Sequence, residues 1–322
     1  MGSRSIKNQL NYAVLECCAF GESKRAEKMN HNSDANLYKI YSFTYRDDMK
    51  DIAKALAKHV EETTKHKLVK DITTDDVQRF LDDKAKTARN TTLEKYRSQL
   101  MKLEQICRHV YKSKLAWSMA DVLQPISAMP SAKVRDKAIA RDVAEKIAKT
   151  MQENSRSDAY KSPLLSSYLG MRVEETSLIR AKAVRLSGGE FGLGEVAITD
   201  NIAKGGRDRI IPVIDKKTRD CLEDLIAGKE PMDFLIQTRD GENMQPANIT
   251  NQFRKALVAM GLDKEYAHTK NHALRKDFAQ RFYDMIRETK GKAAAIEATN
   301  RVLGHGAQRS VQELSAYVAN MW

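Results

Sequence analysis

The chain has 322 residues, 42% hydrophobic and 30% charged, with 55 Lys plus Arg against 43 Asp plus Glu and a formal net charge of +12. The length suits two ordinary domains, and the composition excludes a fibrous or wholly disordered chain. No apolar run approaches the ~18 residues that mark a membrane span. The opening MGSRSIKNQLNYAVLECC lacks a secretory core and cleavage site, so the expected location is cytoplasmic, with no membrane partner. Cys17, Cys18, Cys107 and Cys221 form no C-x-x-C pair, which predicts free thiols and no structural zinc.

The charge is unevenly spread. Residues 1–150 hold 29 basic and 20 acidic side chains, and residues 151–322 hold 26 and 23. A surplus of this kind suggests a polyanion partner, most often nucleic acid.

In chain order, residues 1–33 are polar around a short apolar stretch, Ala13 to Phe20, and read as an N-terminal arm or extension, flexible or a short helix. Over 44–62, Met49, Ile52, Ala53, Leu56 and Val60 recur at helical spacing. ITTDDVQRFLDDKA predicts a helix capped by Thr73 or Thr74, with Asp75 and Asp76 at its positive end. In the next segment Leu93, Tyr96, Leu100, Leu103, Ile106, Cys107 and Val110 line one face, opposite Lys95, Arg97, Lys102 and Arg108. Residues 34–123 therefore read as a small helical bundle with basic faces. QPISAMPSAKVRDK, residues 124–137, has the prolines and serines of an interdomain linker and ends in basic residues suited to a phosphate backbone.

The pattern changes over 138–322. RDVAEKIAKTMQE predicts a helix, and SPLLSSYLGMRVEETSLIR a helix, a break at Gly170 and a new helix start. AVRLS, EVAIT and RIIPVI predict a three-stranded antiparallel sheet, with DNIAKGGRD as the turn between the second and third strands. Further helices follow in KKTRDCLEDLIAG, ANITNQFRKALVAMGL, NHALRKDFAQRFYDMI, AAAIEATNRVLG and RSVQELSAYVANMW.

Four features of this half can carry chemistry. Gly170 permits a sharp turn before Arg172, which Glu175 can orient; taken alone, a surface ion pair is the plainer reading. Lys204 sits at a hairpin tip, either reaching a neighbouring groove or simply solvated. His272 and Arg275, at i and i+3, share a helical face and can meet one oxyanion, or form a surface pair. Gly304 can end a helix in the left-handed conformation and leave His305 at the tip. Tyr317 follows on an amphipathic segment with Val311, Leu314, Val318 and Met321, where a packed tyrosine is the plain alternative.

Taken in order, these features resemble the phage-integrase, or tyrosine site-specific recombinase, family. YLGMRVEE is similar to its first arginine box, IAKGGRDRIIPV to its lysine hairpin, NHALRKDFA to its His-x-x-Arg box and VLGHG to its Gly-His box, with a tyrosine near the end. ITTDDVQRFL and TTLEKYRSQL resemble the core-binding domain. The resemblance implies a mainly α fold with a small antiparallel β-sheet. Its helical core-binding domain (34–123) and α/β catalytic domain (138–322) would close as a clamp around DNA. It implies Tyr317 as nucleophile, Arg172 and Arg275 as phosphate clamps, His305 as a further donor, and His272 as a positioning group or base. Lys204 would protonate the leaving 5′ oxygen, and Glu175 would hold Arg172. It also implies double-stranded DNA with an inverted-repeat core site, a homotetramer on DNA, accessory DNA-bending proteins, a nucleoid association, and no metal or cofactor. Integration or excision of a mobile element is the expected role. The alternatives are dimer resolution, a type IB topoisomerase-like reaction, and a non-catalytic DNA-binding protein of the same fold. His305 and Tyr317 are twelve residues apart, longer than the usual family spacing, which predicts an extended turn before the last helix.

Overall fold

A computed structural model describes residues 5–22, 24–30, 34–117, 137–155, 157–199, 202, 208–266, 271–305 and 314–319. The chain divides into two compact units, Met1–Ala132 and Lys133–Trp322.

The first unit is helical among its described residues: α1 (Ile6–Glu16), α2 (Lys24–Met29), α3 (Ala35–Tyr38), α4 (Phe43–Thr63), α5 (Thr74–Ala85) and α6 (Asn90–Tyr111). The 3.6-residue periodicity puts Met49, Leu56 and Val60 of α4 and Leu100, Leu103 and Ile106 of α6 into one core with Phe80 of α5. Of the flexible arm and the short helix expected over 1–33, the described residues show helix. Helix α1 buries Ile6, Leu10, Ala13 and Val14 in that same core. These four, at i, i+4, i+7 and i+8, give α1 an apolar stripe that water would penalise if it stood apart. The expected linker lies outside the described residues except for Lys137.

Helix α5 starts with a reciprocal cap. The Asp76 backbone N–H donates to Thr73 Oγ1 at 3.2 Å, and the Thr73 N–H donates to Asp76 Oδ2 at 2.9 Å. Asp76 is fully buried, with Arg79 at 2.6 Å and His66 at 3.3 Å. Burial alone would raise its pKa, but the Thr73 hydrogen bonds, then Arg79 and His66, reverse this and hold it below the ordinary value.

The second unit contains α7 (Arg141–Asn154), α8 (Lys161–Leu169), α9 (Val173–Leu178), β1 (Val184–Arg185), β2 (Glu195–Ile198), β3 (Arg209–Pro212), α10 (Lys216–Ile226), α11 (Pro246–Ala259), α12 (His272–Lys290) and α13 (Lys292–Val302). The strands form one antiparallel sheet in the order β1-β2-β3, in the register Val184 with Val196 and Val196 with Ile211. Val196, Ile198 and Ile211 turn inward and join a core made with Leu165 and Leu169 of α8. Leu274, Phe278, Phe282 and Ile286 complete it from one face of α12. Helix α8 stops at Gly170, whose φ of +63° favours glycine and whose α-carbon packs against the Phe278 ring with no room for a Cβ. That stop redirects the chain into α9. No helix of the described residues is long and apolar enough to cross a membrane.

Thr73→Ala is expected to lower the stability of the first unit by about 1 kcal/mol in urea unfolding. Because the folded pKa of Asp76 is depressed, its contribution is full above the unfolded value of about 4 and is lost as the pH falls through the folded value. Acid unfolding of Asp76→Asn should therefore be less steep than that of the parent chain.

Candidate active site

Four separated segments of the second unit meet around Glu175. Its carboxylate is 1% exposed. Oε1 accepts from Arg172 Nη1 at 2.8 Å, and Oε2 accepts from the Arg172 backbone N–H at 2.8 Å and from Arg209 Nη2 at 2.7 Å. Arg275 Nη1 lies 4.0 Å from Oε2. Three guanidiniums thus face one carboxylate, leaving a surplus of positive charge in a largely dry place. Burial would raise the pKa of Glu175, but the hydrogen bond and charge of Arg209, then Arg275 and the Arg172 N–H, lower it below the ordinary value.

The same arginines grip the end of α13. Arg172 Nη2 donates to Leu303 O at 3.2 Å, and Arg209 Nε donates to Val302 O at 2.8 Å. Arg275 donates to both Gly170 O and Leu303 O. Arg275 is 1% exposed, and its Nε has no hydrogen-bond partner among the described residues. Burial, and next the neighbouring Arg172, push its pKa down to about 9, while Glu175 and Tyr317 pull it up. It remains a cation at neutral pH.

Helix α13 ends in a Schellman turn. The Gly304 N–H donates to Arg301 O at 3.0 Å and the His305 N–H to Asn300 O at 2.9 Å, with Gly304 at φ +68°. A Cβ on Gly304 would lie 3.1 Å from Arg209 Nη1, so the turn and the arginine pack directly. This geometry delivers His305 to the tip, as the Leu303-Gly304-His305 run predicts, and His305 Nδ1 lies 3.3 Å from Asn300 Oδ1.

Tyr317 stands within a short turn whose neighbours Leu314 and Val318 are buried at 0% and 1% exposure. Val311 and Met321, expected on the same face, lie outside the described residues. The Tyr317 ring is 5.0 Å from the His272 ring and 5.0 Å from the His305 ring, centroid to centroid. The Arg275 Cζ is 5.6 Å from its centroid. The structure therefore gathers Arg172, Glu175, His272, Arg275, His305 and Tyr317 at one place. Lys204 lies outside the described residues. The other C-terminal tyrosines, Tyr266 and Tyr283, are buried core residues.

The sequence reading left out Arg209 and Asn300. Arg209 had a usable signal: it shares a strand face with Ile211, and a charge on a core face requires a buried partner. Asn300 had none, because an asparagine near a helix end is ordinary.

The model of the phage integrase family matches residues 137–317. The chain belongs to this family. It is thereby a tyrosine site-specific recombinase, an enzyme of DNA strand breakage and rejoining. Solved structures of similar fold include a lambda integrase dimer bound to a COC′ core site, at 17% identity and TM-score 0.61, covering 98% of this chain and 77% of that one. A XerH site-specific recombinase bound to a palindromic difH substrate is 15% identical at TM-score 0.61, covering 97% and 90%. A Tn1549 transposon integrase in complex with circular intermediate DNA is 13% identical at TM-score 0.57, covering 97% and 95%. Comparison with curated proteins finds no match.

Glu175→Gln removes the only carboxylate that faces this recombinase's three arginines among the described residues. A loss of about 3–5 kcal/mol is expected, the range for deleting one partner of a buried ion pair, read as a lower urea midpoint of the second unit's transition. Gly304→Ala should cost about 1–2 kcal/mol through the left-handed backbone alone.

Proposed function

We propose that this recombinase cuts DNA by attack of Tyr317 Oη on a backbone phosphorus. The P–O5′ bond breaks, leaving a 3′-phosphotyrosyl link and a free 5′ hydroxyl, and attack by a partner strand's 5′ hydroxyl reverses the step. The observation that carries this reading is the tyrosine ring set between two imidazoles and above a buried guanidinium.

As the phosphorus becomes pentacoordinate, negative charge grows on its non-bridging oxygens. Arg172 and Arg275 supply forked, charge-assisted donors to them, and the Arg275 Nε–H is a donor still to be matched. Because Glu175 and the Leu303 carbonyl already hold both guanidiniums, little reorganisation is needed at the moment of reaction. His305 adds a donor. His272 positions the phosphate or takes the tyrosine proton. Lys204 delivers the proton to the departing 5′ oxygen. The bond energy is conserved in the phosphotyrosine, so strand rejoining needs no ATP.

The DNA would be gripped as in a clamp, the first unit supplying backbone contacts from its basic surplus and the second the chemistry. Two protomers on an inverted-repeat core site and a tetramer at synapsis would exchange strands through a Holliday junction. A lambda integrase tetramer bound to a Holliday junction shares the fold, at 15% identity and TM-score 0.60. Integration and excision of a mobile element is the favoured role, supported by the lambda and Tn1549 likenesses. Dimer resolution is the second reading.

On a nicked suicide substrate the parent chain should form a covalent adduct stable to denaturant, and Tyr317→Phe should not. An adduct in Tyr317→Phe overturns the nucleophile. Arg172→Ala should keep DNA affinity while cleavage falls about 10²–10³-fold, as when one oxyanion donor is removed; equal loss of both overturns its role. Affinity should decline steeply with salt, since each phosphate contact releases counterions. Recombination of paired sites between plasmids, against resolution of a dimer plasmid, separates the two roles.

A further inference from the structure

His305 is held twice by one residue. Its backbone N–H donates to Asn300 O at 2.9 Å, and its ring Nδ1 lies 3.3 Å from Asn300 Oδ1. Asn300 is 5% exposed, on the last turn of α13, so its amide has little freedom to turn away. An amide oxygen only accepts, so the nitrogen that meets it must carry a proton. With Oδ1 turned to the ring, the contact selects the tautomer with Nδ1 as N–H, and Nε2 is then the ring nitrogen that titrates.

We propose that Asn300 is a positioning residue that sets the tautomer of His305, so that Nε2 serves the scissile phosphate and donates to it only when the ring is an imidazolium. This rests on the reading of His305 as a phosphate donor. With Nδ1 already protonated, a neutral ring offers the phosphate a lone pair and repels it, whereas the cation offers a charge-assisted N–H. The charge state is set among several neighbours. Arg209 packs on Gly304, and Arg172 and Arg275 bind the Leu303 carbonyl. Tyr317 is 5.0 Å away. Arg301, Glu297 and Asp208 line the same groove, as do Glu190 and Glu195, which are paired with Lys290 and Arg185. A phosphate bound at Nε2 places an anion beside the ring and favours the imidazolium.

The test uses the full chain with 15N-labelled histidine, His305 being assigned by difference from His305→Gln. In the parent chain Nδ1 should read as protonated at every pH, with Nε2 alone titrating. In Asn300→Leu the neutral ring should shift toward the Nε2–H form. Asn300→Asp should keep Nδ1 protonated and raise the titration midpoint. Single-turnover cleavage in Asn300→Leu should lose the high-pH limb seen in the parent chain, because a neutral Nε2–H ring can then donate without first becoming an imidazolium, with DNA affinity unchanged. Asn300→Asp should cleave, with the high-pH limb of its profile moved to higher pH. An unprotonated Nδ1 in the parent chain, or an unchanged tautomer in Asn300→Leu, overturns the proposal. A shifted tautomer with an unchanged pH profile of cleavage also overturns it, and then the fault lies in the function given to His305 rather than in the contact with Asn300.

Discussion

The second unit depends on a single carboxylate. Glu175 gathers Arg172, Arg209 and Arg275, which come from the start of α9, from β3 and from α12. Each guanidinium buried alone would carry a desolvation penalty of several kcal/mol. Together around one anion they are held in place, yet they are not neutralised. The surplus positive charge suits the proposed phosphate contact, and the arginines are held in place in advance.

Through the arginines that carboxylate also governs the end of α13. The carbonyls of Val302 and Leu303 would otherwise be orphaned at the helix end, and they accept from Arg209, Arg172 and Arg275 instead. The left-handed turn at Gly304 then fits against Arg209 and sets down His305 beside Tyr317. Helix termination and site assembly are one set of contacts. A change at Glu175 or Arg209 would therefore be felt at His305 through the end of α13.

Net charge described this protein poorly at the place where charge matters most. The second half carries a balance of only 26 basic to 23 acidic residues. The acidic groups are spent on surface pairs such as Lys216 with Asp220 and Lys290 with Glu190, which contribute little. The buried cluster runs the other way, three to one. In the first half the surplus is spread over the helical bundle, as suits contacts with many phosphates rather than with one.

The sequence alone determined most of the element types, because periodicity is local, though the helix expected around Tyr317 is a short turn over the described residues. The stripe of α4, a threonine cap at the start of α5, the stop at Gly170 and the order of the three strands were all legible in runs of a few residues. It also determined the order of boxes from Arg172 to Tyr317, and with it the family. It left α1 undecided, because whether an apolar stripe docks or floats depends on a partner face more than thirty residues away. It missed Arg209 and Asn300, whose partners lie across the fold: Arg209 meets Glu175 34 residues earlier and Val302 93 residues later. Only tertiary structure decides such pairs. A buried charge is tolerated where a distant chain segment brings its counter-charge, and no local pattern records which segment that will be.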